Sequence, residues 1–135
     1  LDDYRVIPNF IFHAFQNKPI PVYGAGNNTR TFCYVTDAMT CFFKVLLSSY
    51  NGEAFNVGND NDEINMSALA EIIVAMFDNK LKIAHVDGLT DAYAKADPRR
   101  RCPDLTKIKK LNYKPKVDLK TGVKRFVQWA KENKS

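Results

Sequence analysis

Apolar residues at Val6, Ile7, Phe10, Ile11, Ala14 and Phe15 recur at three-and-four spacing, which lays them along one face of a helix over residues 6–17. Pro8 falls in its first turn, where a missing N–H costs nothing, and Lys18-Pro19 ends it. Residues 20–23, Ile-Pro-Val-Tyr, read as a short strand, and Gly24-Ala25-Gly26 then permits a turn through left-handed backbone. Residues 31–35 are β-branched and aromatic, which predicts a second strand, with Asp37 as the N-cap of a helix over 38–48. Met39, Phe42, Phe43, Leu46 and Leu47 are the expected buried face of that helix.

Asn51-Gly52 marks a turn, and residues 54–57 read as a short apolar strand ended by Gly58-Asn59-Asp60. Asn65 is placed to cap a helix bearing Leu69, Ile72, Ile73, Met76 and Phe77, with Ile64 and Leu69 as a hydrophobic staple. Residues 80–86 alternate as a strand, and residues 87–101 form the least regular stretch, whose order is expected to depend on a ligand. Asp104 caps a short helix with Leu105, Ile108 and Leu111. After Pro115, Asp118 caps a last helix whose apolar face is Leu119, Val123, Phe126, Val127 and Ala130. The pattern is α/β, with short strands and about five helices, and no repeat or interdomain linker interrupts it.

Composition adds bounds. A chain of 135 residues with 45% hydrophobic content suits one soluble domain, and no apolar run approaches the roughly 20 residues needed to cross a bilayer. The start, Leu-Asp-Asp-Tyr-Arg, is neither a signal peptide nor a methionine start, so a fragment or processed chain is expected. Cys33, Cys41 and Cys102 form no metal-binding spacing with His13 or His85, which points to a reducing, cytoplasmic setting and no metal. Asn27-Asn28-Thr29 and Asn65-Met66-Ser67 have the form of glycosylation acceptors without a secretory signal.

Charge is uneven: from Arg99 onward there are 13 Lys and Arg against 3 Asp and Glu, whereas residues 1–98 hold 7 against 12. A basic end suggests an anionic partner, and a small nucleic-acid-binding module is one reading of it. The other is a solvated lysine-rich helix surface. Tyr113, Phe126 and Trp129 are not interleaved with arginines as a base-stacking platform, which weighs against nucleic acid.

Five short words stand in order along nearly the whole chain: Arg-Val-Ile-Pro-Asn-Phe from Arg5, Val-Tyr-Gly-x-Gly from Val22, Thr-Arg-Thr-Phe-Cys-Tyr-Val-x-Asp from Thr29, Phe-Asn-Val-Gly from Phe55 and Arg-Arg-x-Pro-Asp-Leu from Arg100. Together they resemble the C-terminal part of the extended short-chain dehydrogenase/reductases, the NAD-dependent epimerase/dehydratase family acting on nucleotide-sugars, and look most like its UDP-glucuronate decarboxylase branch. The resemblance implies a mixed α/β substrate-binding lobe of a Rossmann-type enzyme over residues 1–135, with the N-terminal NAD-binding lobe absent. It places Arg30 and Arg101 on the substrate diphosphate, Pro21, Val22 and Tyr23 along the nucleotide base, and Val6 and Asn9 at the border of the same pocket.

A planar guanidinium suits the diphosphate, because it donates two parallel hydrogen bonds worth on the order of 1.5 to 3 kcal/mol. Catalysis is not expected of this chain alone. The family's reaction needs a Tyr-x-x-x-Lys pair, and none of the six tyrosines has a lysine four residues on. Gly24-Ala25-Gly26 is followed by Asn-Asn-Thr-Arg rather than a helix start, so it is no dinucleotide fingerprint. NAD is therefore expected in the intact enzyme and not on this chain. The partners implied are a UDP-sugar, the missing Rossmann lobe and a second copy, the last because the strand at 54–57 would leave an unpaired edge.

Overall fold

A computed structural model describes residues 5–77, 81–87 and 97–133. Five helices are described: α1 (Val6–Phe15), α2 (Val35–Leu46), α3 (Met66–Val74), α4 (Thr106–Lys109) and α5 (Leu119–Glu132). The strands are short: β1 (Ile20–Tyr23), β2 (Thr29–Arg30), β3 (Ile64–Asn65), β4 (Ile83–Val86) and β5 (Arg100–Arg101). β1 and β4 pair in parallel, with Ile20 opposite Ile83 and Tyr23 opposite Val86. β2 lies between β3, antiparallel, and β5, parallel, with Thr29 opposite Arg100 and Arg30 opposite Arg101. The mixed α/β class, with short strands and five helices, is as the residue pattern predicts.

Two cores hold these elements. The larger gathers Phe10, Ile11 and Ala14 of α1, Ile20 and Val22 of β1, Leu69, Ala70 and Ile73 of α3, and Val123 and Val127 of α5. The α1 and α5 residues, with Leu69 and Ile73 of α3, are positions that helical spacing assigned to buried faces; Ala70 was not among them. The smaller core joins Cys41 of α2 to Leu105, Ile108 and Tyr113. Tyr113 is buried there, and its hydroxyl donates to the Gly58 carbonyl at 2.8 Å. Burial pushes the Tyr113 phenol pKa well up from its usual value.

Capping follows the sequence at two helices, α3 and α5; at α4 the N-cap is Leu105 rather than the expected Asp104. Asn65 accepts from the Ala68 amide at 2.8 Å and Asp118 from the Thr121 amide at 2.9 Å. Asp104 accepts from the Thr106 amide at 2.8 Å, at the start of α4. These bonds favour the ionised carboxylate, and they hold the Asp104 and Asp118 pKa values below the ordinary range.

Four expectations are corrected. The strand predicted at 31–35 is instead β2 at Thr29–Arg30, because those residues have ladder partners on both sides, and Val35 already belongs to α2. Asp37 is not the N-cap of α2. The helix starts earlier, with the Asp37 and Ala38 amides both bonded to the Tyr34 carbonyl, and the buried Asp37 carboxylate accepts from the Lys116 and Val117 amides at 2.9 Å each. The face of α2 expected to be buried is exposed: Met39, Phe42, Phe43, Leu46 and Leu47 all stand in solvent, Leu47 at 82% of its full exposure. Residues 54–57 are not a strand and join neither ladder among the described residues. Part of the strand predicted at 80–86 and most of the irregular stretch at 87–101 lie outside the described residues.

Candidate functional site

The glycine turn after β1 is shaped by what it docks against. Gly24 and Gly26 both have positive φ, 57° and 68°, which a side chain resists. At Gly26 a Cβ would also lie 2.7 Å from Cγ1 of the buried Val22 and 2.1 Å from Oγ of Ser67. The Gly26 carbonyl accepts from the Met66 and Ser67 amides at 3.0 and 3.2 Å, so the turn closes the N-terminus of α3. Asn65 takes the next amide. The first donors of α3 are thus consumed inside the protein and the turn offers them to no phosphate, so it does not fit a dinucleotide. His85 secures the turn from β4, with Nδ1 2.9 Å from the Gly24 carbonyl.

On β1 the Ile20 and Gly24 amides donate to the Lys82 and Val86 carbonyls at 2.9 and 2.8 Å. The two-residue alternation along a strand turns Val22 to the same side and leaves the Pro21 carbonyl and the Tyr23 N–H on the edge that faces no described strand. Val22 is fully buried and contributes packing, whereas the Tyr23 side chain is exposed. Val6 packs against the larger core and Asn9 is half-buried on α1, and neither shares a hydrogen bond with Arg30 or Arg101 among the described contacts. His13, on the same helix, places Nδ1 3.0 Å from the Pro19 carbonyl, which ties the helix end to the start of β1.

Arg30 and Arg101 are brought together. They are register partners on the parallel strands β2 and β5, so their side chains share one face. Arg30 is largely enclosed, its side chain 13% exposed, with Nη1 2.7 Å from the Thr29 carbonyl and Nη2 2.6 Å from Oδ1 of Asp97. Arg101 is 62% exposed, and its Nη2 lies 3.6 Å from the same Asp97 oxygen. Oδ2 of Asp97 accepts from Nδ2 of Asn28 at 2.9 Å. Sequence reasoning missed Asn28 and Asp97; a carboxylate at a fixed offset before an arginine of interest was the available signal.

The opposite face carries a separate group. Glu63 accepts from Arg100 through both oxygens, at 2.9 and 2.8 Å, and from Oγ1 of Thr29 at 2.6 Å. The Arg100 bond, then the Thr29 bond, lowers the Glu63 pKa from its usual value. Arg100 is therefore committed to a carboxylate, as are Lys107 to Glu53 and Lys109 to Asp60. These pairs remove part of the basic surface that suggested nucleic acid.

A cleft of about 470 Å³ opens beside Arg101, lined also by Thr31, Cys33, Gly58, Cys102 and Pro103. Arg30 does not line it. Burial pushes the Cys33 thiol pKa up, and its Sγ lies 3.6 Å from the Tyr113 hydroxyl. The sequence words meet around the cleft: a Cβ on Gly58 would fall 2.6 Å from Cγ of Pro103, and Nδ2 of Asn56 donates to the Asp104 carbonyl at 3.0 Å. Tyr34 packs on the backbone of Gly122 in α5, where a Cβ would lie 3.0 Å from its ring.

The family model for GDP-mannose 4,6 dehydratase matches residues 3–126. The chain belongs to this family of extended short-chain dehydrogenase/reductases. The chain is similar to UDP-glucuronic acid decarboxylase 1 of Arabidopsis thaliana, 36% identical over 128 residues, which cover 94% of this chain and 28% of the relative. An epimerase of Methanothermobacter thermautotrophicus superposes with a TM-score of 0.86 at 28% identity, over 97% of this chain and 38% of that one. A dTDP-glucose 4,6-dehydratase of Bacillus anthracis, solved with NAD, gives 0.79 at 28% identity, over 96% and 40%. The chain thus spans about 28% of the length of that curated relative, and no helix among its described residues is long and apolar enough to cross a membrane.

Proposed function

We propose that this chain is the nucleotide-sugar-binding lobe of an NAD-dependent sugar-nucleotide enzyme, UDP-glucuronate decarboxylase-like in substrate, with epimerase or dehydratase chemistry as the other branches. The observation that carries the reading is the pairing of Arg30 and Arg101 on one face of adjacent strands. Two guanidinia there suit a diphosphate, and the β1 edge at Pro21 and Tyr23 presents an acceptor and a donor that suit the edge of a uracil. The redox step belongs to NAD and to an N-terminal Rossmann lobe supplied by a longer chain. The exposed apolar face of α2 and the unpaired segment at 54–57 are the surfaces that lobe would cover, in a cytoplasmic enzyme that acts as a dimer.

Calorimetry with UDP on a chain containing both lobes tests this. Arg30→Ala and Arg101→Ala are each expected to weaken binding by about tenfold or more, as the loss of a charge-assisted hydrogen bond predicts. UDP affinity unchanged in both variants would sink the assignment. Self-association of the 135-residue chain through 54–57 is the competing reading, favoured by that segment's lack of a ladder. Light scattering that finds a monomer rejects it.

A further inference from the structure

The geometry points to Asp97 as a positioning residue: its carboxylate holds Arg30 and lets Arg101 share the same face, so that the pair is set for an anion before one arrives. This rests on the reading that the two arginines bind a diphosphate.

Like charges on register partners of adjacent strands repel, and an enclosed guanidinium needs an anionic or carbonyl partner. Asp97 meets both needs. Its Oδ1 takes Nη2 of Arg30 at 2.6 Å, and the same oxygen lies 3.6 Å from Arg101. Asn28 fixes the other oxygen at 2.9 Å, so the carboxylate is held from a third side.

The two arginines are thereby given different roles. Arg30, bonded to Asp97 and to the Thr29 carbonyl, has its plane set and presents its remaining donors from a fixed position. Arg101, beyond hydrogen-bond distance and mostly in solvent, is free to swing onto a ligand. Binding then fixes one long side chain rather than two, which lowers the entropic cost.

The test is the sign of a charge effect. By Coulomb's law alone, deleting a carboxylate beside a bound anion tightens binding. Positioning predicts the opposite. Calorimetry on a chain containing both lobes, with UDP and separately with inorganic pyrophosphate, is expected to show Asp97→Asn binding both about tenfold more weakly.

Asn28→Ala, which keeps the charge and lies in a loop, is expected to weaken binding about threefold and serves if Asp97→Asn fails to fold. Arg30→Ala combined with Asp97→Asn should bind no more weakly than Arg30→Ala alone, because Asp97 acts through Arg30. Added guanidinium should restore binding to Arg30→Ala while Asp97 is present and not to the double variant, a rescue that a purely structural role would not produce.

Unchanged or tighter binding in Asp97→Asn, or multiplied losses in the double variant, would overturn the inference. So would unchanged binding in Asn28→Ala. A wild-type chain that binds pyrophosphate but not UDP removes the nucleotide reading and leaves Asp97 tested on pyrophosphate. One that binds neither overturns both.

Discussion

Helices α1 and α2 are two amphipathic segments of similar length with opposite fates. α1 buries Phe10, Ile11 and Ala14 against β1 and α3, whereas α2 buries only Asp37 and Cys41 and leaves Val35, Phe42 and Leu46 exposed. Spacing identifies an apolar face in both. It does not say whether the surface that covers the face lies in the same stretch of chain. Single exposed apolar residues are ordinary, but a whole helix face of them marks an interaction surface. α2 is held at its other side by Cys41 and by the Asp37 carboxylate bonded to the Lys116 and Val117 amides, so it is anchored without its apolar face being used.

The largest effect should separate these two faces. Ile73→Ala in the larger core, where Ile73 is fully buried, is expected to lose about 2 to 5 kcal/mol in urea unfolding of the 135-residue chain. Phe42→Ser on α2 is expected to change it by less than about 0.5 kcal/mol. In a chain carrying the Rossmann lobe the second variant should become clearly destabilising, and a neutral result there would mean that the lobe does not cover α2.

A smaller difference probes the glycine turn at the edge of the larger core. Gly24→Ala meets open space and pays only for positive φ, about 1 to 2 kcal/mol. Gly26→Ala adds clashes with Ser67 of α3 and with Val22, and overpacking of that kind typically costs a further 1 to 3 kcal/mol. Equal unfolding midpoints for the two variants would contradict the docking of this turn on α3.

The smallest effect concerns pH. The Glu63 pKa is lowered in the folded state by Arg100 and Thr29, so its contribution is present above the unfolded glutamate value, about 4.3, and is lost as pH falls through the lower folded value. Glu63→Gln should therefore be less stable than the wild type at pH 7, and the two unfolding curves should converge in acid. A gap that persists undiminished at pH 3 would show that the Arg100 pair is not its source.

The α1, β1, α3 and α5 elements were legible in the sequence because their apolar periodicity was matched by stops and caps at their ends. Asn65 and Asp118 cap where their spacing from the apolar stripe put them. Asp37 misled for the same reason: a good capping residue before an apolar run looks like a helix start, and only the distant amides of Lys116 and Val117 reveal its use. β3 and β5 are two residues each, too short for any alternation to register.

Arg30 and Arg101 were singled out from their flanking words; the ladder sets these two opposite one another while Arg100 turns to Glu63. The sequence by itself determined which segments are helices and strands of the larger core and which residue types could meet an anion, since these depend on local periodicity and side-chain chemistry. The tertiary structure decided the rest. It set Arg30 beside Asp97 across 67 positions, turned Gly26 into the closure of α3 and left the α2 face bare, because each depends on which surfaces meet across distant parts of the chain.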